Sequence, residues 1–233
     1  MRVCLSQFRS SESLDQNVER HLAVLERAAA RHCDLVLFPE LSLSGYATQR
    51  AVSMAMTLDA PAVHRLHHAC EALGLVAACG APLATDTGGT EIGMLVFQPG
   101  HPPARYAKRW LHPDEMAAFV PGKRTLDIVC GEHRVSPAIC YESILGAHAR
   151  EALDRGATVY AASVAKHAEG IERAHQHYAA LAREHGIWVL VANAVGPCDD
   201  FVAAGQTAAW SPDGSRVVHC GSNDEAEPVV QVS

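Results

Sequence analysis

The amino-acid sequence predicts one layered α/β domain, and three observations carry that prediction. Short continuous apolar runs such as Leu35-Val36-Leu37-Phe38 have the length and composition of strands buried on both faces. Between them lie segments whose apolar residues recur every three or four positions, as on a helix packed against a sheet. The two kinds of segment alternate throughout the 233 residues, with no repeat, low-complexity tract or linker, so residues 1–233 read as a single domain.

In chain order, residues 2–8 mix β-formers before a turn at Ser10 and Ser11. Ser13 and Gln16, three apart as a capping box requires, place a helix start there, and Leu14, Val18, Leu22, Leu25 and Ala29 share one of its faces. The run Leu35 to Phe38 is a strand closed by Pro39, which puts Glu40 at its C-terminal end. A helix over Pro61 to Leu73 has proline in its first turn and Gly74 after its end. Strands follow at Val76 to Cys79 and Ile92 to Phe97, separated by the turn residues Asp86-Thr87-Gly88-Gly89. After a loop rich in proline and lysine, Ile128-Val129 and Val135 to Cys140 read as a hairpin around Gly131-Glu132-His133, although Pro137 weakens its second strand. A helix near Ala147 to Arg155, a strand at Thr158 to Ala161, a long helix ending at Gly186 and a strand at Ile187 to Ala192 complete the alternation. Ser211-Pro212-Asp213-Gly214 turns between two β-like segments in the tail.

Composition excludes several classes of function. A net charge of −7 and a pI near 6.0 leave no basic stripe for nucleic acid or an anionic membrane surface. The longest apolar runs, such as Ile187 to Ala192, fall far short of the roughly 18 residues of a membrane span. Eight cysteines form no CxxC pair, and the N-terminal residues lack the apolar stretch of a signal peptide, which points to reduced thiols and a cytoplasmic location. Fourteen histidines prompt a metal reading, but His175 and His177 do not share a helical face and no zinc spacing occurs, so no metal is expected.

Four residues could carry chemistry. Cys140 follows Ala138-Ile139 at a strand-to-loop corner, where a thiol and free backbone N–H groups can meet a ligand. Glu40 terminates an apolar strand, so its carboxylate must be solvated, paired or functional. Lys108 stands in the basic stretch Arg105 to Trp110, and Glu115 in His112-Pro113-Asp114-Glu115. Each alone has an ordinary role, as buried thiol, strand-end cap, solvated cation or helix-start acid.

Together, and in this order, they resemble the nitrilase superfamily of carbon–nitrogen hydrolases. Asp34 to Tyr46, with Phe38-Pro39-Glu40, is similar to the block that carries that family's glutamate base, and Lys108 matches its lysine block. Glu115 with Phe119, Pro121 and Gly122 resembles the stretch of a second glutamate, and Ile139-Cys140-Tyr141-Glu142 resembles the nucleophile block. Ala182 to His185, Val191 to Gly196, and Gly205, Thr207, Pro212 and Gly214 resemble later blocks, with His185 in place of the common asparagine and Thr207 in place of serine. The chain departs from the family where Asp-x-Arg-Phe-Pro commonly follows the nucleophile, reading Glu142-Ser143-Ile144-Leu145-Gly146 instead.

The resemblance implies a four-layer α-β-β-α sandwich with two mixed six-stranded sheets, and a homodimer packed through Ala147 to Arg155 and Gly170 to Gly186. It implies a cysteine-dependent amidase needing no cofactor. Cys140 would be the nucleophile, Glu40 the base, Lys108 the oxyanion cation with the Tyr141 backbone N–H, and Glu115 the residue that positions substrate or water. Tyr46, Tyr141, Lys166 and His167 are the expected substrate-binding residues, with Trp110 a further candidate for the pocket wall. The partner is then a small amide or nitrile; nitrilase, N-carbamoyl amidohydrolase and a non-catalytic amide-binding descendant remain alternatives.

Overall fold

The computed structural model describes residues 1–233. Its first sheet contains β1 (Arg2–Leu5), β2 (Leu35–Leu37), β3 (Val76–Ala84), β4 (Thr90–Phe97), β5 (Ala104–Ala107) and β14 (Val229–Gln231), in the order β14-β1-β2-β3-β4-β5. The second contains β6 (Ile128–Cys130), β7 (His133–Ile139), β8 (Val159–Val164), β9 (Trp188–Asn193), β12 (Ala208–Trp210) and β13 (Arg216–His219), in the order β13-β12-β9-β8-β7-β6. A separate short ribbon pairs β10 (Val195–Pro197) with β11 (Val202–Ala204).

Helices α1 (Leu14–Ala30) and α3 (Pro61–Leu73) cover the first sheet, and α4 (Gly146–Asp154) and α5 (Ala168–His185) cover the second; α2 (Thr48–Ser53) is a single short segment beside β3. The result is the expected four-layer α-β-β-α sandwich. Strand alternation assigns each apolar side chain to one of three layers of core. Leu35 and Leu37 of β2 meet Leu190 and Ala192 of β9 between the sheets, whereas Val36 turns outward to the α1 and α3 cluster and Val189 and Val191 to the α5 cluster. Both sheets are mixed and share one pairing pattern. Each has an antiparallel edge pair, two parallel pairs and two antiparallel pairs, so the halves repeat a topology that no sequence repeat announces.

Several boundaries differ from expectation for physical reasons. The strand expected at Val76 to Cys79 continues to Ala84, through Gly80 and Pro82. Past Ala78, β3 has left its pairing with β2, so Pro82 withholds an N–H from no central ladder. Pro137 is likewise tolerated in β7, because β6 pairs only as far as Val135. The stretch read as a loop includes β5, paired with β4, and α2 was not expected at all. The Ser13 cap of α1 accepts from the Gln16 N–H, but Asn17 makes the return bond, its Oδ1 accepting from the Ser11 N–H at 2.7 Å. Close to Glu40, a buried hydrogen bond ties the sheets together: the Ser163 hydroxyl of β8 donates to the Phe38 carbonyl beyond β2 at 2.7 Å. No helix is long and apolar enough to cross a membrane.

Candidate active site

The end of β2 delivers Glu40 to the junction of the two sheets. Its segment is held by the Phe38 N–H to Ala78 O and the Leu43 N–H to Gly80 O, both 2.9 Å. Gly80 has to be glycine for this approach, since a Cβ there would stand 2.2 Å from the Pro39 carbonyl oxygen and 2.4 Å from the Leu41 nitrogen. Just beyond, Ser42 shares its hydroxyl with the buried ring of His21, whose Nε2 lies 2.9 Å away.

Lys108 leaves the end of β5 with its backbone clamped on both sides, its N–H donating to Ile92 O and its carbonyl accepting from the Gly122 N–H, each at 2.8 Å. The side chain is fully buried, and its Nζ donates to Glu40 Oε1 at 2.9 Å and Glu115 Oε1 at 2.6 Å. Glu115 does two jobs. Its Oε2 accepts from the His112 N–H at 2.8 Å, capping the turn Pro113–Glu115, while Oε1 takes Lys108 and the Tyr46 hydroxyl at 2.9 Å. Burial disfavours the Lys108 charge, but Glu40, Cys140 and Glu115 outweigh it and hold the ammonium above its ordinary range. Glu40 is pushed above the usual carboxylate range by burial, with Lys108 pulling against it. Its Oε2 is buried without a hydrogen-bond partner.

Cys140 stands where β7 ends and the turn Cys140–Ile144 begins, at φ +45°, a strained conformation for a side chain with a Cβ. The strain is held by Glu142, which is fully buried. Its Oε1 accepts from the Ile139 N–H at 2.9 Å and the Tyr106 hydroxyl at 2.5 Å, and its Oε2 from the Arg109 N–H at 2.9 Å. One carboxylate therefore braces the residue before the thiol and the residue after Lys108. Burial and the Glu40 charge push the Cys140 thiol up, while Lys166 and Lys108 draw it down.

Above the thiol opens a cavity of about 950 Å³. Its wall includes Cys140, Glu115, Tyr46, Tyr141, Lys166 and His167; Glu40 and Lys108 lie out of solvent beneath it. All four expected substrate-binding residues thus face the cavity. Trp110 does not: its ring lies under the Arg109 guanidinium and edge-on to His148, so this expectation is corrected. The β10–β11 ribbon contributes Asp199, Asp200 and Phe201, and α5 contributes Gly170, Arg173, Ala174 and His177, which sequence reasoning did not select. Their spacing of three, one and three on a helix that starts beside Lys166 was the readable signal.

Residues 2–232 match the model of the carbon–nitrogen hydrolase family. The chain belongs to that family. It is a carbon–nitrogen hydrolase with the nitrilase-superfamily fold, and amidases are among its structural neighbours. An amidase from Nesterenkonia sp. AN1, described with the acetamide moiety of fluoroacetamide added covalently at its active-site cysteine, superposes with a TM-score of 0.89 at 25% identity, covering 100% of this chain and 90% of that one. A superfamily protein from Xanthomonas campestris, with an arsenic adduct in its active site, shares the fold at a TM-score of 0.91 and 22% identity, covering 100% and 90%. The glutamine-dependent NAD(+) synthetase of Rhodobacter capsulatus is 28% identical over 97% of this chain, which spans 42% of that protein's length.

Proposed function

We propose that the protein is a thiol amidase that converts a small amide to a carboxylic acid and ammonia or an amine through a Cys140 thioester. The observation that carries this reading is the buried Glu40–Lys108–Glu115 cluster under a strained thiol at the base of a cavity. A thiol in this surrounding is protonated near neutral pH and needs a base. Glu40 takes the Sγ proton through its unpartnered Oε2, and the sulfur attacks the amide carbon. The oxyanion is held by Lys108 and the Tyr141 N–H, one of the first-turn donors for which a helical turn has no internal acceptor. The C–N bond then breaks as Glu40 returns the proton to the leaving nitrogen. Glu40 next deprotonates water, which attacks the thioester, and the acid leaves as the proton returns to sulfur. Glu115 fixes the Lys108 ammonium and, with Tyr46, the edge of the substrate site. No step calls for a metal or an organic cofactor.

The glutamine-dependent relative adds the glutamine side-chain amide to the substrates worth assaying. The homodimer expected through α4 and α5 belongs to the same reading, and light scattering that shows only monomer contradicts that part of it. The decisive variant is Cys140→Ala. It is expected to hydrolyse no amide while keeping the wild-type circular dichroism and Tm, whereas turnover retained in this variant refutes the nucleophile. Wild-type protein quenched in acid during turnover should show an acyl mass on Cys140.

A further inference from the structure

Resting on that reading, the charge distribution of the cavity narrows the substrate. The cation nearest the chemistry is already committed: Lys108 pairs with two carboxylates and is fully buried at the oxyanion position, out of reach of a carboxylate at the far end of a substrate. Arg109 pairs with Glu151. Two cations on the cavity wall, Lys166 and Arg173, have no carboxylate within 4.0 Å.

Lys166 is rigidly presented. Its N–H donates to Asn193 Oδ1 at 2.9 Å, and its carbonyl accepts from Asn193 Nδ2 at 3.1 Å and the Ala204 N–H at 2.9 Å. It follows Ala165, whose carbonyl lies 3.9 Å from the Cys140 sulfur, so it leaves the chain beside the nucleophile. Its side chain is half-buried. Burial opposes its charge, yet the neighbouring Cys140, Tyr178 and Glu40 hold the ammonium above its ordinary range. The ammonium is therefore kept charged while bound to no carboxylate, which leaves its donors open to a ligand anion. Arg173 projects from the α5 face that forms the same wall, one helical turn after Gly170. Besides Glu115, three carboxylates also stand on the wall, Asp114, Asp199 and Asp200, but Asp199 is turned to the Thr48 N–H and hydroxyl, and none of the three pairs with Lys166 or Arg173.

We infer that Lys166 and Arg173 form a carboxylate subsite, and that the substrates are short amides bearing a carboxylate at the end remote from the scissile bond. Monoamides of dicarboxylic acids and the side-chain amides of amino acids are the class. The amide carbon then lies at Cys140, while the carboxylate completes the ion pairs that the folded chain leaves open.

Three amides of matched length test this: butyramide, succinamate, in which a carboxylate replaces the terminal methyl, and 3-aminopropanamide, in which an ammonium does. Ammonia release should give succinamate a kcat/KM at least about tenfold above butyramide, the worth of one charge-assisted hydrogen bond, with 3-aminopropanamide below both. Lys166→Met and Arg173→Gln should each cut the succinamate-to-butyramide ratio by about tenfold, the ratio cancelling any general loss at the thiol. Arg173 is exposed, so its variant reports on the subsite even where Lys166→Met folds poorly. Butyramide hydrolysed as fast as succinamate, or a ratio unmoved by both variants, overturns the subsite and leaves the thiol amidase standing. Ammonia from none of the three, nor from glutaramate or glutamine, overturns the amidase reading and the subsite with it.

Discussion

Replacing Gly80 with alanine adds one carbon at a site that has no room for it. The new Cβ would lie 2.2 Å from Pro39 O, 2.4 Å from Leu41 N and 2.9 Å from Glu40 C, all backbone, where real contacts do not fall below 3.0 Å. The Pro39–Leu41 segment must therefore withdraw by about 1 Å, a displacement on the scale at which misplaced catalytic groups lose about a hundredfold in rate. Such a shift takes Glu40 Oε1 out of hydrogen-bonding range of Lys108 Nζ, now 2.9 Å away. Overpacking of this kind destabilises by about 1–3 kcal/mol, which in a chain of this size lowers Tm by about 2–4 °C for each kcal/mol. The control is Gly146→Ala at the start of α4, where a Cβ meets nothing within 4 Å. That change should leave activity intact and stabilise by up to about 1 kcal/mol. Steady-state ammonia release and thermal melts on both variants decide the matter. A Gly80→Ala enzyme with wild-type kcat and Tm refutes the argument that this glycine sets the position of the base.

Three further outcomes follow from the buried charges. Lys108→Met should abolish turnover and destabilise by about 3–5 kcal/mol, because it strands Glu40 and Glu115 against each other; melts should show the deficit shrinking as pH falls and Glu40, already held above the usual carboxylate range by burial, takes up a proton, and a pH-independent deficit contradicts this. Glu142→Gln must turn an amide NH2 toward either the Ile139 or the Arg109 N–H, costing about 1–3 kcal/mol and slowing both kcat and the alkylation of Cys140 by iodoacetamide; alkylation and turnover at the wild-type rate count against its bracing role. Acid should unfold the protein through buried histidines: burial holds His21 and His148 down to about 3 and His175 down to about 4. The unfolded chain protonates these rings near 6.5, so their stabilising contribution is complete above that pH and is lost as pH falls from 6.5 toward 3, by on the order of 4 kcal/mol for His21 alone. A Tm flat between pH 6.5 and 4 would show that they do not matter.

Much of this architecture was legible because the code involved is local. A short apolar run closed by proline, such as Leu35 to Phe38 before Pro39, has the length and punctuation of a buried strand, and the Pro61 and Gly74 punctuation of α3 matches its observed limits, with Gly74 in the left-handed conformation. What stayed hidden depends on distant partners. Helix α2 has alanine at its N-cap, and its first N–H is satisfied by Asp199, some 150 residues away in sequence, so no nearby capping signal exists to read. Strand β5 was obscured by Pro102, Pro103 and Arg105, yet it pairs with β4 and its end positions Lys108. Glu142 was noticed only as part of an unusual block, because a carboxylate that braces backbone amides looks in sequence like any other acid. The family pattern drew attention to the Glu40, Lys108, Glu115 and Cys140 positions, but only the structure shows Glu115 capping a turn with one oxygen and pairing a lysine with the other.

The hydrogen bond from Ser163 to the Phe38 carbonyl joins the sheets next to the base, as Glu142 joins them next to the thiol. Glu40 and Lys108 ride on one sheet, Cys140 and Lys166 on the other, and Phe38 is two residues from Glu40. A slight slide of one sheet over the other would leave every strand ladder and both helical layers intact while parting the base from the thiol. Catalysis should therefore fade several degrees before the cooperative melt, and Ser163→Ala should widen that gap by moving the inactivation temperature more than Tm. The enzyme's activity is then a finer thermometer of its sheet-to-sheet contact than any spectroscopic signal of its secondary structure.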